Sequence, residues 1–168
     1  FRAATEASKR ARTETEIAAG AVSVSFAAVE LAKKILGRLE GQTAFVLGAG
    51  EMSELTARHL VENGVKSLVV ASRTLARAQD LAERVNGRAI VWDEAMASLH
   101  RADVVISSTS AEDYVLRREA VAQAMQQRKN RSMFLIDIAM PRDIEPETGS
   151  LYNVFLYDLD DLESVVGA

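Results

Sequence analysis

A chain of 168 residues, 48% hydrophobic and 26% charged, is long enough for one domain with a full core and has the balance of a soluble globular protein. Its net charge of −4 gives no whole-chain attraction for nucleic acid, and the lack of cysteine excludes disulfides, thiolate catalysis and cysteine metal sites within it. The apolar runs fall short of a membrane span and no secretory signal is visible, so the expectation is a cytoplasmic protein with no membrane partner.

The chain begins at Phe1 rather than Met, which suggests a piece of something longer. Residues 1–20 are polar and alanine-rich, with Lys9, Arg10 and Arg12 ahead of Thr13-Glu14-Thr15-Glu16. They read as helix or linker, the basic cluster being a solvated face or a contact for RNA or phosphate. Residues 22–36 place Val24, Ala28, Leu31 and Ile35 at helical spacing, which predicts a core helix that stops near Gly37 and Gly41.

From Thr43 to Thr74 the pattern is strand, glycine turn, helix, strand. Thr43–Leu47 runs into Gly48-Ala49-Gly50-Glu51-Met52-Ser53, an amphipathic stretch reaches Asn63, and Leu68–Ala71 leads to Ser72-Arg73-Thr74. This is the first half of a dinucleotide-binding unit. Gly48 permits the tight turn, Gly50 admits backbone to a pyrophosphate, and the helix start offers unpaired N–H groups to it. Ser53 stands at the third glycine position, small enough for close helix–sheet packing. The alternative is a glycine-rich turn that binds no nucleotide. An NAD site would carry an acidic residue at the end of the second strand. Arg73, flanked by two hydroxyls, instead suits an adenosine 2′-phosphate, so NADP(H) is the expected cofactor.

A helix over Leu75–Val85 ends at Asn86-Gly87, Ala89–Val91 is a third strand, and Trp92–His100 is a turn or short helix. Trp92 is either a packed aromatic at a strand end or a stacking surface for adenine. The fourth strand, Asp103–Ile106, opens into Ser107-Ser108-Thr109-Ser110-Ala111. Ligands of open parallel sheets lie outside the carboxyl ends of the strands, so Ser107, Ser108 and Thr109 are expected along the ribose and nicotinamide half of the cofactor, unless they are ordinary turn and capping residues. A polar helix over Arg117–Arg128 precedes the fifth strand, Met133–Ile136, whose exit loop Asp137–Ile144 brings Ala139 and Met140 to the ligand side. Asn153–Leu156 is a short sixth strand, and Asp158, Asp160 and Asp161 fit an acidic helix start better than a metal site. The fold class is therefore α/β, a Rossmann-type doubly wound, mostly parallel six-stranded sheet in the order 3-2-1-4-5-6 with helices on both faces.

Several of these stretches together resemble glutamyl-tRNA reductase: Arg12-Thr13-Glu14-Thr15, Gly20–Ser25 with Ala27–Ala32, Gly48-Ala49-Gly50-Glu51-Met52, Ser72-Arg73-Thr74, Ser107–Ala111, Asp137–Ile144 and Tyr157–Leu162. Single motifs are shared with shikimate dehydrogenases. Ser53 and Ser72 depart from the glycine and asparagine usual in the reductase family. The resemblance implies a central NADPH-binding domain in tetrapyrrole (heme) biosynthesis. A cysteine thiolate on another domain takes the glutamyl group from glutamyl-tRNA as a thioester, and NADPH reduces it to glutamate-1-semialdehyde. It implies residues 1–40 as the lead-in from that catalytic domain, 41–157 as the NADP-binding domain, and 158–168 as the start of a helix to a dimerisation domain. The implied full-length enzyme is a homodimer, and the fragment alone is a monomer that performs no complete turnover. No catalytic residue and no metal ligand is assigned within the chain. Cofactor-binding residues are Gly48, Ala49, Gly50, Glu51, Met52, Ser53, Ser72, Arg73, Thr74, Ser107, Ser108, Thr109, Ala139 and Met140. The alternatives are a non-catalytic NADP-sensing or interaction domain and the cofactor domain of a shikimate-type dehydrogenase.

Overall fold

The computed structural model describes residues 20–167. The basic cluster Lys9, Arg10 and Arg12 and the Arg12–Thr15 stretch lie outside the described residues. A first helix, α1 (residues 20–36), precedes six strands: β1 (Thr43–Leu47), β2 (Ser67–Ala71), β3 (Arg88–Ile90), β4 (Val104–Ser107), β5 (Met133–Asp137) and β6 (Val154–Asp158). Between and after them run α2 (Glu51–Glu62), α3 (Leu75–Val85), α4 (Trp92–Ala97), α5 (Arg118–Gln127) and α6 (Leu159–Gly167). The sheet order is β3-β2-β1-β4-β5-β6, every pairing parallel. This is a Rossmann-like α/β fold.

Strand side chains alternate between faces, and both faces are covered. Ala44, Val46, Val70, Ile106 and Ile136 point to a layer built from α1, α2, α3 and α6, with Ala28, Ala57, Leu81 and Leu162 buried in it. Phe45, Leu47, Val69, Val105 and Leu135 point to the opposite layer, which contains Ala95 of α4 and Val121 and Met125 of α5. Helix α1 is thus part of the core layer, as its spacing predicts.

Two buried charges tie the bottom of the sheet. The Arg128 guanidinium is fully buried and donates to the carbonyls of His100, Ala102, Arg131 and Ser132 and to Asp103 Oδ1 at 2.8 Å. Asp103 also accepts the Thr43 N–H at 2.9 Å, which fixes the start of β1 against β4. At the opposite edge β6 runs two residues beyond its predicted end. Asp158 pairs in register with Asp137, and Arg142 lies between them, 3.6 Å from Asp137 and 3.4 Å from Asp158. Asp158 and Asp161 then cap α6 by exchanging N–H···carboxylate bonds of 2.9 Å.

Candidate functional site

The order reversal lies between β1 and β4, and a cleft of about 400 Å³ opens at the carboxyl ends of β1, β2 and β4. Its floor is the turn after β1. Gly48 has φ +99° and donates its N–H to Ala71 O at 2.8 Å, which locks the turn to β2. A Cβ on Gly48 would stand 2.3 Å from Ser108 O, so the β1 and β4 exits touch through backbone and only glycine fits. Gly50 is different. It has φ −86°, opens α2, lines the cleft, and a Cβ there would meet no protein atom within 4 Å. Among the described residues no side chain caps the α2 N-terminus, so its first N–H groups are available to an anion.

The β2 exit forms one rim. Ser72 Oγ donates to Thr74 O at 2.7 Å and accepts the Thr74 N–H at 3.1 Å, closing the turn on itself. Arg73 and Arg77 are exposed, line the cleft, and have no carboxylate partner among the described residues. Arg77 was not predicted from the sequence. Its signal is the four-residue step from Arg73 into the first turn of α3, which returns it to the same rim. Trp92 is half-buried: part of it packs on the α4–α5 core layer and part lines the cleft.

The β4 exit forms the other wall, through Ser108, Thr109 and Ser110. Ser107 is fully buried, does not line this cleft, and spends its hydroxyl on Asp143 Oδ2 at 2.7 Å. Thr109 lines the cleft but its Oγ1 donates to Asp143 Oδ1 at 2.6 Å and its N–H to Oδ2 at 2.8 Å. Asp137, fully buried at the end of β5, accepts the N–H groups of Ala139, Asp143 and Ile144 at 2.8–3.2 Å. Burial pushes its carboxyl above the ordinary 3.8, and those donors pull the other way.

The structure therefore brings Gly48, Ala49, Gly50, Ser72, Arg73, Thr74, Ser108 and Thr109 together around one cleft. The remaining candidates lie elsewhere. Glu51 is exposed on the first turn of α2, and Ser53 is buried with its Oγ unpartnered. Met52 lines a separate hollow of about 460 Å³ with Ile138 and Leu159, on the α1–α6 side. Ala139 is buried, while Met140 is 80% exposed on the β5 exit loop. No helix among the described residues is long and apolar enough to cross a membrane.

A dinucleotide fits these residues. The uncapped helix start, the open space over Gly50 and two unpaired guanidiniums on one rim are the donors and clearances that phosphates require.

Comparison with known proteins gives the same class. The family of shikimate / quinate 5-dehydrogenases matches residues 30–165. The chain is 56% identical over 161 residues to the glutamyl-tRNA reductase of Syntrophus aciditrophicus, covering 96% of this chain and 38% of that protein. It is 52% identical over 168 residues to the glutamyl-tRNA reductase of Brevibacillus brevis, covering 100% of this chain and 37% of that one. The solved glutamyl-tRNA reductase of Methanopyrus kandleri superposes with a TM-score of 0.82 at 43% identity, over 95% of this chain and 40% of that one. The nucleotide-binding domain of the Thermoplasma volcanium enzyme shares the fold at 16% identity, with a TM-score of 0.65 over 86% of this chain and 91% of that one. The chain thus spans well under half the length of the curated relatives it matches.

Proposed function

The chain belongs to the shikimate / quinate 5-dehydrogenase family of domains and is a relative of the glutamyl-tRNA reductases, and from that premise we propose that it is the NADP(H)-binding part of such a reductase. The observation that carries the choice of NADP(H) is the β2 exit: two guanidiniums without carboxylate partners among the described residues, and no acidic side chain lining the cleft. A ribose 2′-phosphate answers that charge, whereas a bare 2′-hydroxyl leaves it unanswered.

Each part of the cleft then has a task. Gly50 lets the pyrophosphate approach the α2 start, whose N–H groups and dipole take up its charge. Arg73 and Arg77 clamp the 2′-phosphate, and Trp92 closes the adenosine side. Ser108, Thr109 and Ser110 form the wall against which the ribose is oriented. The bound nicotinamide supplies hydride to a glutamyl thioester whose cysteine is absent from this chain. In this proposal residues 1–40 lead in from the part that carries the cysteine, 41–157 hold the cofactor, and 158–168 begin the helix toward the part that dimerises. Glutamyl-tRNA is the substrate of the whole protein, a cytoplasmic enzyme of tetrapyrrole synthesis, and the chain alone completes no turnover.

A segment exchange tests this. Residues 1–168 replace the matching segment of the Syntrophus aciditrophicus enzyme, and semialdehyde formation is followed with glutamyl-tRNA and NADPH. The proposal expects activity from the exchanged enzyme and none from the chain alone. A folded, NADPH-binding exchange product without activity contradicts it, as does semialdehyde made by the isolated chain.

A further inference from the structure

The β4 exit wall is held by a residue that never reaches the cleft. Resting on the nucleotide-binding proposal above, we propose that Asp143 is a positioning residue for the dinucleotide: its buried carboxylate fixes the Ser108–Ser110 wall against the Gly48 turn.

The connections run in series from the sheet to the wall. Asp137, at the end of β5, accepts the Asp143 N–H at 3.0 and 3.2 Å and the Ile144 N–H at 2.8 Å, which sets where the Asp143 backbone stands. The Asp143 carbonyl accepts the N–H groups of Val115 at 2.7 Å and Leu116 at 3.1 Å, so the far side of the residue is anchored too. Its carboxylate, fully buried and without a cation in contact among the described residues, accepts hydrogen bonds from Ser107 Oγ, Thr109 Oγ1 and the Thr109 N–H. Removing that carboxylate leaves three donors unpaired, that of Ser107 fully buried and those of Thr109 half-buried, and the turn must move to satisfy them.

Movement there reaches the ligand directly. Ser108 O already touches the Gly48 turn so closely that no Cβ fits between them, so the wall and the pyrophosphate floor shift together. The arrangement also sorts the hydroxyls. Those of Ser107 and Thr109 are consumed by Asp143, which leaves Ser108 and Ser110 as the wall hydroxyls facing a nucleotide. Asparagine can keep most of these bonds in one orientation: its carbonyl accepts the Thr109 N–H and the Ser107 O–H, and its amide donates to Thr109 Oγ1, so that only the half-buried Thr109 O–H must find another acceptor. Alanine can do neither.

The test is NADPH titration by calorimetry, with thermal melting of every variant. Asp143→Ala is expected to weaken NADPH by about tenfold, an effect of the size of one lost charge-assisted anchor. Asp143→Asn is expected to restore affinity to within about threefold of the wild-type chain. Val121→Ala, a truncation of a buried α5 residue that does not line the cleft, serves as the control for lowered melting temperature alone and is expected to bind as the wild-type chain does. If Asp143→Ala does not fold, Ser107→Ala takes its place. Ser107 does not line the cleft, so the roughly threefold weakening expected there acts through Asp143. Unchanged affinity in the variant that folds, or the same loss in Asp143→Ala, Asp143→Asn and Val121→Ala, overturns the inference. A wild-type chain that binds no NADPH overturns the nucleotide proposal and this inference with it, an outcome distinct from a wild-type chain that binds and variants that do not differ.

Discussion

The two glycines of the β1–α2 turn separate folding from binding. Gly48→Ala places a Cβ 2.3 Å from Ser108 O and 2.8 Å from Ser108 C, both backbone atoms with no rotamer to retreat into. A positive φ of 99° adds about 1–2 kcal/mol of strain for an L side chain. Forcing the β4 exit aside adds about 1–3 kcal/mol, for a total loss of about 2–5 kcal/mol of stability. Gly50→Ala has neither problem, since its φ is −86° and the space for a Cβ is clear of protein atoms. Its cost to the fold is about 0.5–1 kcal/mol, the difference between glycine and alanine at a helix N-cap. The new methyl instead occupies space in the cleft where a pyrophosphate must approach. An overpacked contact of about 2 kcal/mol corresponds to about thirtyfold weaker NADPH binding. Urea unfolding and calorimetric titration of both variants give the two numbers. A Gly50→Ala chain that binds NADPH like the wild-type chain refutes the placement of the pyrophosphate, and a Gly48→Ala chain of unchanged stability refutes the packing of the turn.

Arg128→Met leaves Asp103 without its buried guanidinium and four carbonyls without a donor, and is expected to cost about 3–5 kcal/mol in urea unfolding. A loss below about 1 kcal/mol contradicts the buried-staple assignment. Asp137 gives a pH signature. Its folded carboxyl titrates above the ordinary 3.8 because it is desolvated, so as pH rises from there through the raised value the folded chain holds a proton the unfolded one has lost, and stability falls. Relative to Asp137→Asn, the wild-type chain should therefore gain stability as pH is lowered toward the ordinary carboxylate value; a difference that shrinks on acidification contradicts the assignment. Glu54 has the opposite sign. The hydrogen bond from Arg58, with Arg84 beside it, lowers its carboxyl, so its small exposed-pair contribution is present above 4.5 and lost as pH falls through the lowered value. Glu54→Gln should flatten the acid limb of the urea profile, and an unchanged limb argues against that pair.

The sheet was legible because the physics behind it is local. Strands buried on both faces read as apolar runs such as Ala44–Leu47 and Phe134–Ile136, and the glycine turn follows the first of them. The order 3-2-1-4-5-6 followed from the alternation of strand and helix and is the order observed. What stayed hidden depends on contacts distant in sequence. Ser107 reads as a ligand hydroxyl, yet its partner is Asp143, 36 residues on. Arg128 stands at the end of a helix that reads only as polar, and only the fold shows it buried against Asp103, 25 residues back. The sixth strand was read two residues short because Tyr157-Asp158 looks like the start of the acidic helix; Arg142 between Asp137 and Asp158 lets the parallel pairing continue. Arg77 needed no fold. It lies four residues after Arg73, in the first turn of the helix that the spacing predicts over Leu75–Val85.

Selection of NADP(H) by this cleft, as proposed, rests on the guanidiniums at the β2 exit. The most direct measurement is calorimetric titration of the chain with NADPH and with NADH, repeated on Arg73→Ala. Binding of NADPH tighter than NADH by about tenfold or more, with the preference lost in the variant and NADH affinity little changed, is the expected result. Equal affinity for the two cofactors, or a preference that survives Arg73→Ala, contradicts it.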